Sequence, residues 1–284
     1  MTDAVDPGLA AARFFAFGLS LLIFGAAAFD LYAPPARPRA RVWRIGAPVA
    51  LALSVLAYLI LLAREASGEP GWPGAGLVLS LGVSTTFGTA LLSTSAIAVA
   101  LCGLAASGRD LRRPRAVLTG GALVALAFVG HAADDIGIRG VVRLSILALH
   151  LLAIGAWLGA LPLLWRTLAA REPPPIQLLL RFGLVGGVSV GLVLLTGLAT
   201  LAFMLATAGG RLGPAYTRAL LIKLTFVAGL LGLAAINRLW LTPMMARDPD
   251  RARTALRRSI VLEQALGLGA LASVSVLGQL DPTM

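Results

Sequence analysis

Eight long apolar runs constrain the fold of this 284-residue chain more than any other feature of its sequence. A helix needs about 20 mostly apolar residues to cross the hydrocarbon core of a bilayer. The runs lie at 9–32, 45–63, 84–107, 116–134, 141–164, 177–208, 218–242 and 256–278. We therefore predict an all-α fold, a polytopic membrane bundle of eight transmembrane helices, with residues 1–284 forming a single transmembrane domain.

Charged residues are scarce in the chain. They make up 13% of it, whereas a soluble domain carries roughly 25%. This composition excludes an ordinary cytoplasmic enzyme, and we expect no enzymatic activity. The single cysteine, Cys102, excludes an intramolecular disulfide and a Cys-rich metal cluster. No nucleotide-binding motif is visible, so any transport would be facilitated or coupled to an ion.

The formal net charge of +11 comes mainly from arginines in the loops. The loops after the first, third, fifth and seventh runs hold 15 arginines, and the three alternate loops hold 5. Cytoplasmic loops accumulate Lys and Arg, so this distribution predicts that both termini are periplasmic and that the chain is a multi-pass protein of a bacterial inner (plasma) membrane. The basic excess therefore reflects orientation in the lipid bilayer, and we expect no nucleic-acid partner.

Small residues recur at helical spacing in two of the runs. Gly155 and Gly159 share one helix face, and so do Gly183, Gly187 and Gly191. Such spacing lets helices approach closely in lipid, so we interpret both stripes as packing surfaces. The segment at 66–83, which begins with glycine and proline, is expected to form an interfacial turn.

An imidazole and two carboxylates lie together at the outer end of the fourth run. His131 is followed by Asp134 and Asp135 at i+3 and i+4, which places all three on one helix face. This combination suits a divalent ion such as Cu(II), or a proton relay. The alternative is that the aspartates are solvated at a helix end and that His131 is a packed residue.

The second histidine, His150, lies in the interior of the fifth run. It is roughly 15 Å below the outer end of its helix, given the rise of about 1.5 Å per residue. Ionisable residues at such depth are functional candidates, although a hydrogen bond to a neighbouring helix is the plainer interpretation. Its depth differs from that of His131 by roughly 7 Å of helical rise, which favours two successive binding stations over one shared ion.

Soft ligands suited to Cu(I) are few. Met204 lies toward the outer end of the sixth run, in the same leaflet as His131. Cys102, Met244 and Met245 lie toward the inner side. Thiolate and thioether groups prefer Cu(I), so these residues could mark an outer and an inner station. Isolated methionines also commonly fill gaps in a core.

Four further charged residues are interpreted as structural. Lys223 lies near the outer end of the seventh run, where it can snorkel to the interface or neutralise Asp134 or Asp135. Glu263 lies about two turns into the eighth run from the inner side. At a similar depth, Arg238 or Arg181 is expected to pair with Glu263.

Several stretches between about residues 128 and 278 resemble the copper resistance protein D family of bacterial inner-membrane proteins. They are GHAADD, HLLAIGAWLGALPLLW, RFGLVGGVSVGLVLLTGLAT, YTRALLIKLTFVAGLLGLAAINRLWLTP and LRRSIVLEQALGLGALASVSVLG. The resemblance implies an eight-helix protein that moves copper across the inner membrane with a periplasmic copper-binding partner of the copper resistance protein C type. His131 and His150 match the family's recurrent intramembrane histidines. Its other polar or aromatic markers match Trp157, Lys223, Asn237, Arg238 and Glu263.

These interpretations combine into a copper import pathway. A periplasmic carrier delivers copper to His131, Asp134, Asp135 and Met204, and the ion passes to His150. It then leaves toward Cys102 or the methionine pair and a cytoplasmic copper acceptor. The sequence leaves the choice between Cu(I) and Cu(II) open. Two alternatives also stay open, namely a haem-binding redox protein with His131 and His150 as axial ligands, and a membrane scaffold for a periplasmic copper chaperone.

Overall fold

A computed structural model describes residues 5–33, 41–68, 71–107, 111–130, 137–170 and 176–283, apart from the side chains of 41 and 42. All regular secondary structure in these ranges is helical. The helices are α1 (Pro7–Tyr32), α2 (Arg41–Ser67), α3 (Ala75–Ser84), α4 (Thr86–Ala106), α5 (Arg112–Leu126), α6 (Ile138–Trp157), α7 (Leu161–Ala169), α8 (Ile176–Thr207), α9 (Pro214–Ile236), α10 (Thr242–Met244) and α11 (Pro249–Leu277). A 3₁₀ turn, Leu158–Ala160, joins α6 to α7, and a π-helical turn, Asn237–Leu241, joins α9 to α10.

Seven helices in the described ranges are long and apolar enough to cross a membrane. Six are α1, α2, α4, α8, the continuous α9–α10 segment and α11, and the seventh is the α6–α7 segment, Ile138–Ala169. The all-helical membrane bundle is therefore confirmed. The span expected at 116–134 corresponds to α5, which begins at Arg112 and ends at Leu126. A turn continues to Gly130, and residues 131–134 lie outside the described ranges.

The expectation of a simple turn at 66–83 is wrong for its second half, because Ala75–Ser84 forms helix α3. This helix is followed by Thr85, whose extended backbone changes the chain direction and whose hydroxyl accepts a hydrogen bond from the Gly88 amide at 3.0 Å. A Cβ on Gly88 would overlap the Leu81 carbonyl. The absence of a side chain at Gly88 therefore lets α3 and α4 meet at a tight corner.

Helix α1 occupies the centre of the bundle, where it packs against α2, α5, α6 and α11. Its closest approach is to the end of α6. A Cβ on Gly25 would overlap the main chain of Gly155 and Gly159, and a Cβ on Gly159 would overlap the Leu21 carbonyl. The predicted packing role of Gly155 and Gly159 is thus confirmed, and Gly25 is the partner residue that the sequence did not single out.

The second glycine stripe behaves differently. A Cβ on Gly183 or Gly191 would meet no atom of the described residues within 4 Å, so the predicted close packing at these two positions is wrong. A Cβ on Gly187 would lie 2.6 Å from Nη1 of Arg238. The bare backbone at Gly187 therefore makes room for a guanidinium group and not for a neighbouring helix backbone.

The start of α1 and the end of α11 lie at the same end of the bundle. The Asp6 amide donates to Oε1 of Gln279 at 2.8 Å, and Nε2 of Gln279 donates to the Asp6 carbonyl at 3.1 Å. Asp6 also caps α1, since its carboxylate accepts from the Gly8 and Leu9 amides. The two ends of the membrane domain are therefore held together at one surface.

Candidate functional site

His150 lies on α6 and faces α8, the helix that packs against it. Its Nδ1 is 2.8 Å from the hydroxyl oxygen of Thr196, which is buried. The position of a Cβ on Gly197 would be 3.6 Å from Cε1 of the same ring, so the imidazole is packed closely against the α8 backbone. The plainer interpretation of His150, a hydrogen bond to a neighbouring helix, is therefore confirmed by its bond to Thr196.

The hydrogen bonds of Thr196 indicate which nitrogen of His150 carries the proton. The Thr196 hydroxyl donates to the main-chain carbonyl of Leu192 on its own helix. A hydroxyl group has one hydrogen to donate and two lone pairs to accept with. Thr196 therefore accepts from His150, and Nδ1 of the neutral ring carries the hydrogen. The lone pair is left on Nε2, the nitrogen that can bind a metal ion.

This arrangement is the one that metal-binding histidines commonly adopt. A ligating imidazole usually donates its other N–H to a fixed acceptor, which sets both the tautomer and the orientation of the ring. Helix α8 thus presents one acceptor, the Thr196 hydroxyl, to Nδ1 of the imidazole.

Lys223 on α9 lies within electrostatic reach of His150. The sequence suggested Asp134 or Asp135 as partners of this lysine, and both aspartates lie outside the described residues. A lysine near His150 disfavours a second positive charge there, because like charges repel most strongly where water is scarce. While Lys223 is protonated, a cation at His150 therefore meets an unfavourable electrostatic contribution from α9.

The face of α8 that carries Thr196 continues toward the C-terminal end of the helix through Thr200 and Met204 at four-residue spacing. The Thr200 hydroxyl donates to the Thr196 carbonyl at 2.8 Å, and the Tyr216 hydroxyl donates to the sulfur of Met204 at 3.2 Å. Met204 also packs against the cluster formed by Tyr216, Leu277 and Leu280. The thioether thus lies on the same helix face as the acceptor of His150, two turns away.

Trp157 ends α6, two turns after His150, and is 5% exposed. Its ring lies against Gly186 of α8, where an added Cβ would be 3.8 Å from Cδ1 of the indole. The chain turns into the 3₁₀ segment directly after Trp157. This tryptophan therefore packs α6 against α8 below His150.

The expected ion pairs of Glu263 are wrong. Glu263 is 2% exposed and its Oε1 accepts from Nδ2 of Asn237 at 2.8 Å. Arg238 instead donates to the Gly183 carbonyl at 2.6 Å, and Arg181 donates to the Tyr32 carbonyl at 3.0 Å. Both guanidinium groups therefore bind main-chain oxygens of neighbouring helices, and the buried carboxyl group is held by a neutral amide.

The π-helical turn explains why Asn237 and Arg238 point in these directions. The Thr242 amide donates to the Asn237 carbonyl, five residues earlier, and Pro243 follows with no amide hydrogen. Such a turn inserts an extra residue into the helix, and it occurs frequently at functional sites. The Thr242–Pro243 pair is the sequence feature from which a distortion of this helix could have been predicted, because proline lacks the amide hydrogen of a regular helix.

The remaining candidate ligands are separated or lie outside the described ranges. His131, Asp134 and Asp135 are outside them. Among the described residues, no group of three or more His, Cys, Asp and Glu side chains is placed to hold a metal ion. Cys102 donates weakly to the Ile45 carbonyl, between α4 and α2, whereas Met245 packs near α7 and α11.

Comparison with known proteins identifies the family. Residues 176–277 match the family described as copper resistance protein D, and residues 1–141 match the copper resistance protein D-like, N-terminal domain. These stretches lie on either side of 142–175, which includes His150. No solved structure matches the chain.

Two relatives align over nearly their whole length. Copper resistance protein D of Pseudomonas syringae pv. tomato is 33% identical over 314 aligned residues, which cover 98% of this chain and 98% of the relative. Inner membrane protein YebZ of Escherichia coli (strain K12) is 29% identical, with 96% and 97% covered. Together with the seven apolar helices, these matches identify a multi-pass inner-membrane protein. The chain therefore belongs to the copper resistance protein D family.

Proposed function

We propose that this protein imports copper across the inner membrane and that His150 is the binding station inside the membrane. The observation that carries the proposal is the hydrogen bond from Nδ1 of His150 to Thr196. With the hydrogen on Nδ1, the free lone pair of the ring is on Nε2, and this nitrogen lies in the interior of an apolar span. Membership of the copper resistance protein D family supplies the identity of the cargo.

The membrane topology in this proposal has eight crossings with both termini in the periplasm. The contacts between Asp6 and Gln279 support an even number of crossings, because they hold the start of α1 and the end of α11 at one surface. Seven long spans are an odd number, so one more crossing is required. The segment that begins with α5 supplies it, and the arginine distribution supports the orientation.

Entry and exit complete the proposed route. Copper is delivered by a periplasmic protein of the copper resistance protein C type and is captured by His131, Asp134 and Asp135 with Met204. The α8 face that carries Thr196 and Met204 supports a path between the outer leaflet and His150. Cys102 or the pair Met244 and Met245 receives the ion on the inner side, where a cytoplasmic copper acceptor removes it.

The charge of Lys223 supports transfer in preference to storage. Conduction requires binding that is favourable enough for the ion to enter and weak enough for it to leave. A lysine within electrostatic reach of His150 lowers the affinity of that station for a cation. The ion is then released once an acceptor with thiolate or thioether groups is in reach.

The test is copper accumulation in cells that express the wild type or the variants His131→Ala and His150→Ala at equal levels. Ser145→Ala is the matched control, since Ser145 lies on α6, is exposed, and bonds only to its own helix at Val141. Both histidine variants should accumulate less copper than the control. Normal accumulation in both would refute the pathway, and a Soret band at stoichiometric haem in the purified protein would favour the haem alternative.

A further inference from the structure

An open groove lies between α7 and the first half of α11, at the end of the bundle predicted to be cytoplasmic. Its volume is about 500 Å³. The lining residues are Trp165, Thr254, Arg257, Arg258, Val261 and Leu262. Arg253 fixes the wall of this groove, because its guanidinium group donates to the Leu168 and Ala170 carbonyls at the end of α7.

The part of the groove nearer the predicted cytoplasmic surface is basic. The guanidinium group of Arg257 lies over the Trp165 ring, 4.8 Å from its centroid. In the described part of the chain, Nε of Arg257 is buried and has no hydrogen-bond acceptor. Among the residues that the structure describes, none that lines the groove is acidic, so no described carboxylate neutralises Arg257 or Arg258 there. Two guanidinium groups beside an apolar surface match the planar oxygens of an anionic group, so the groove is suited to an anionic ligand.

The part of the groove nearer the membrane interior is apolar, and its side chains are exposed on the surface of the bundle. Val261 and Leu262 lie one turn further into the membrane on α11 and are 52% and 55% exposed. Trp165 marks the boundary between the two parts, as tryptophan commonly does at a membrane–water interface. The groove therefore offers two arginines at headgroup level and an apolar surface at the level of the acyl chains.

We propose that this groove is a binding site for an anionic phospholipid. The guanidinium groups of Arg257 and Arg258 bind the phosphate oxygens, for which their planar donor geometry is well suited. An acyl chain lies along Val261 and Leu262. A zwitterionic lipid offers the same phosphate together with a cationic headgroup, so the two arginines favour a lipid of net negative charge such as phosphatidylglycerol. Basic pockets on the cytoplasmic side of membrane proteins bind such headgroups.

The experiment uses the purified full-length protein in detergent with an equimolar mixture of phosphatidylglycerol and phosphatidylethanolamine. Native mass spectrometry measures how much of each lipid stays bound. The variants are Arg258→Gln and the double variant Arg257→Gln/Arg258→Gln. Arg251→Gln is the matched control, because it removes the same charge from an exposed position of α11 outside the groove.

The wild type and the control should retain phosphatidylglycerol preferentially. Each arginine near a lipid headgroup is worth about 1 kcal/mol, so the preference should fall about fivefold in Arg258→Gln and roughly 25-fold in the double variant. Because Arg258 is exposed, its single variant keeps the test informative if the double variant fails to fold. An unchanged preference in Arg258→Gln would overturn the proposal. The result does not depend on copper transport.

Discussion

Nδ1 of His150 and the hydroxyl oxygen of Thr196 are 2.8 Å apart across the interface between α6 and α8. Because the Thr196 hydroxyl donates to Leu192, Thr196 accepts from the imidazole, and the ring presents Nε2 to any ligand. Thr196 is thus a positioning residue for the histidine on which the proposed transport depends.

Replacing Thr196 with valine should weaken copper binding, because valine has nearly the same shape and lacks the acceptor oxygen. Loss of such an outer partner typically costs 10–100-fold in metal affinity. Thr196→Ser keeps the hydroxyl and should bind like the wild type. The measurement is competition with a copper chelator on purified protein, and equal affinities of the valine and serine variants would contradict the positioning role.

Replacing Lys223 with methionine should strengthen copper binding at His150 by roughly tenfold, given an interaction of about 1–2 kcal/mol between charges in an environment of intermediate dielectric constant. The same competition assay measures the effect. Arg218→Met, an exposed cation one turn earlier on α9, is the control and should leave the affinity unchanged. Weaker binding in Lys223→Met would show that the lysine does not act through repulsion.

Asn237→Ala should destabilise the protein. Glu263 would lose the amide donor at 2.8 Å and remain buried, and such a loss costs about 1–3 kcal/mol. Thr225→Ala on the same span is the control, since Thr225 is exposed and bonds only to Leu221 of its own helix. Thermal unfolding of the purified variants in detergent measures the difference. Equal midpoints for the two variants would mean that the pair contributes nothing to stability.

Gly25→Ala should also lower the unfolding midpoint, because the added Cβ would overlap the backbone of Gly155 and Gly159. Overpacking of this kind costs about 1–3 kcal/mol. Gly103→Ala provides the comparison, since a Cβ there meets no described atom within 4 Å. This second variant should be neutral or slightly stabilising, as alanine favours a helix more than glycine does. A stable Gly25→Ala variant would contradict the close crossing of α1 and α6.

The sequence was sufficient for those features that depend on one segment at a time. Hydropathy located the long helices because a span is a property of consecutive residues. His150 could be selected as a candidate because few ionisable residues occur in the apolar runs. Gly155 and Gly159 were recognised from their spacing on one helix. Each of these predictions required no knowledge of which helix lies beside which.

Features that depend on the rotation of one helix against another were beyond the sequence. Thr196 is one of several threonines in apolar runs, and nothing in its own segment marks it as the partner of His150. The pairing of Glu263 with an arginine was predicted from similar depth alone, whereas the π turn directs Asn237 to the carboxyl group and Arg238 to Gly183. Likewise, Gly25 is required only because α6 happens to cross α1 at that level.

Copper uptake into proteoliposomes that contain purified protein and an enclosed copper sensor tests the central claim most directly. The wild type and Ser145→Ala should both show uptake well above that of protein-free vesicles. His150→Ala, inserted to the same extent and with an unchanged unfolding midpoint, should reduce uptake to the protein-free level. Uptake by His150→Ala at the wild-type rate would contradict the assignment of His150 as the station through which copper passes.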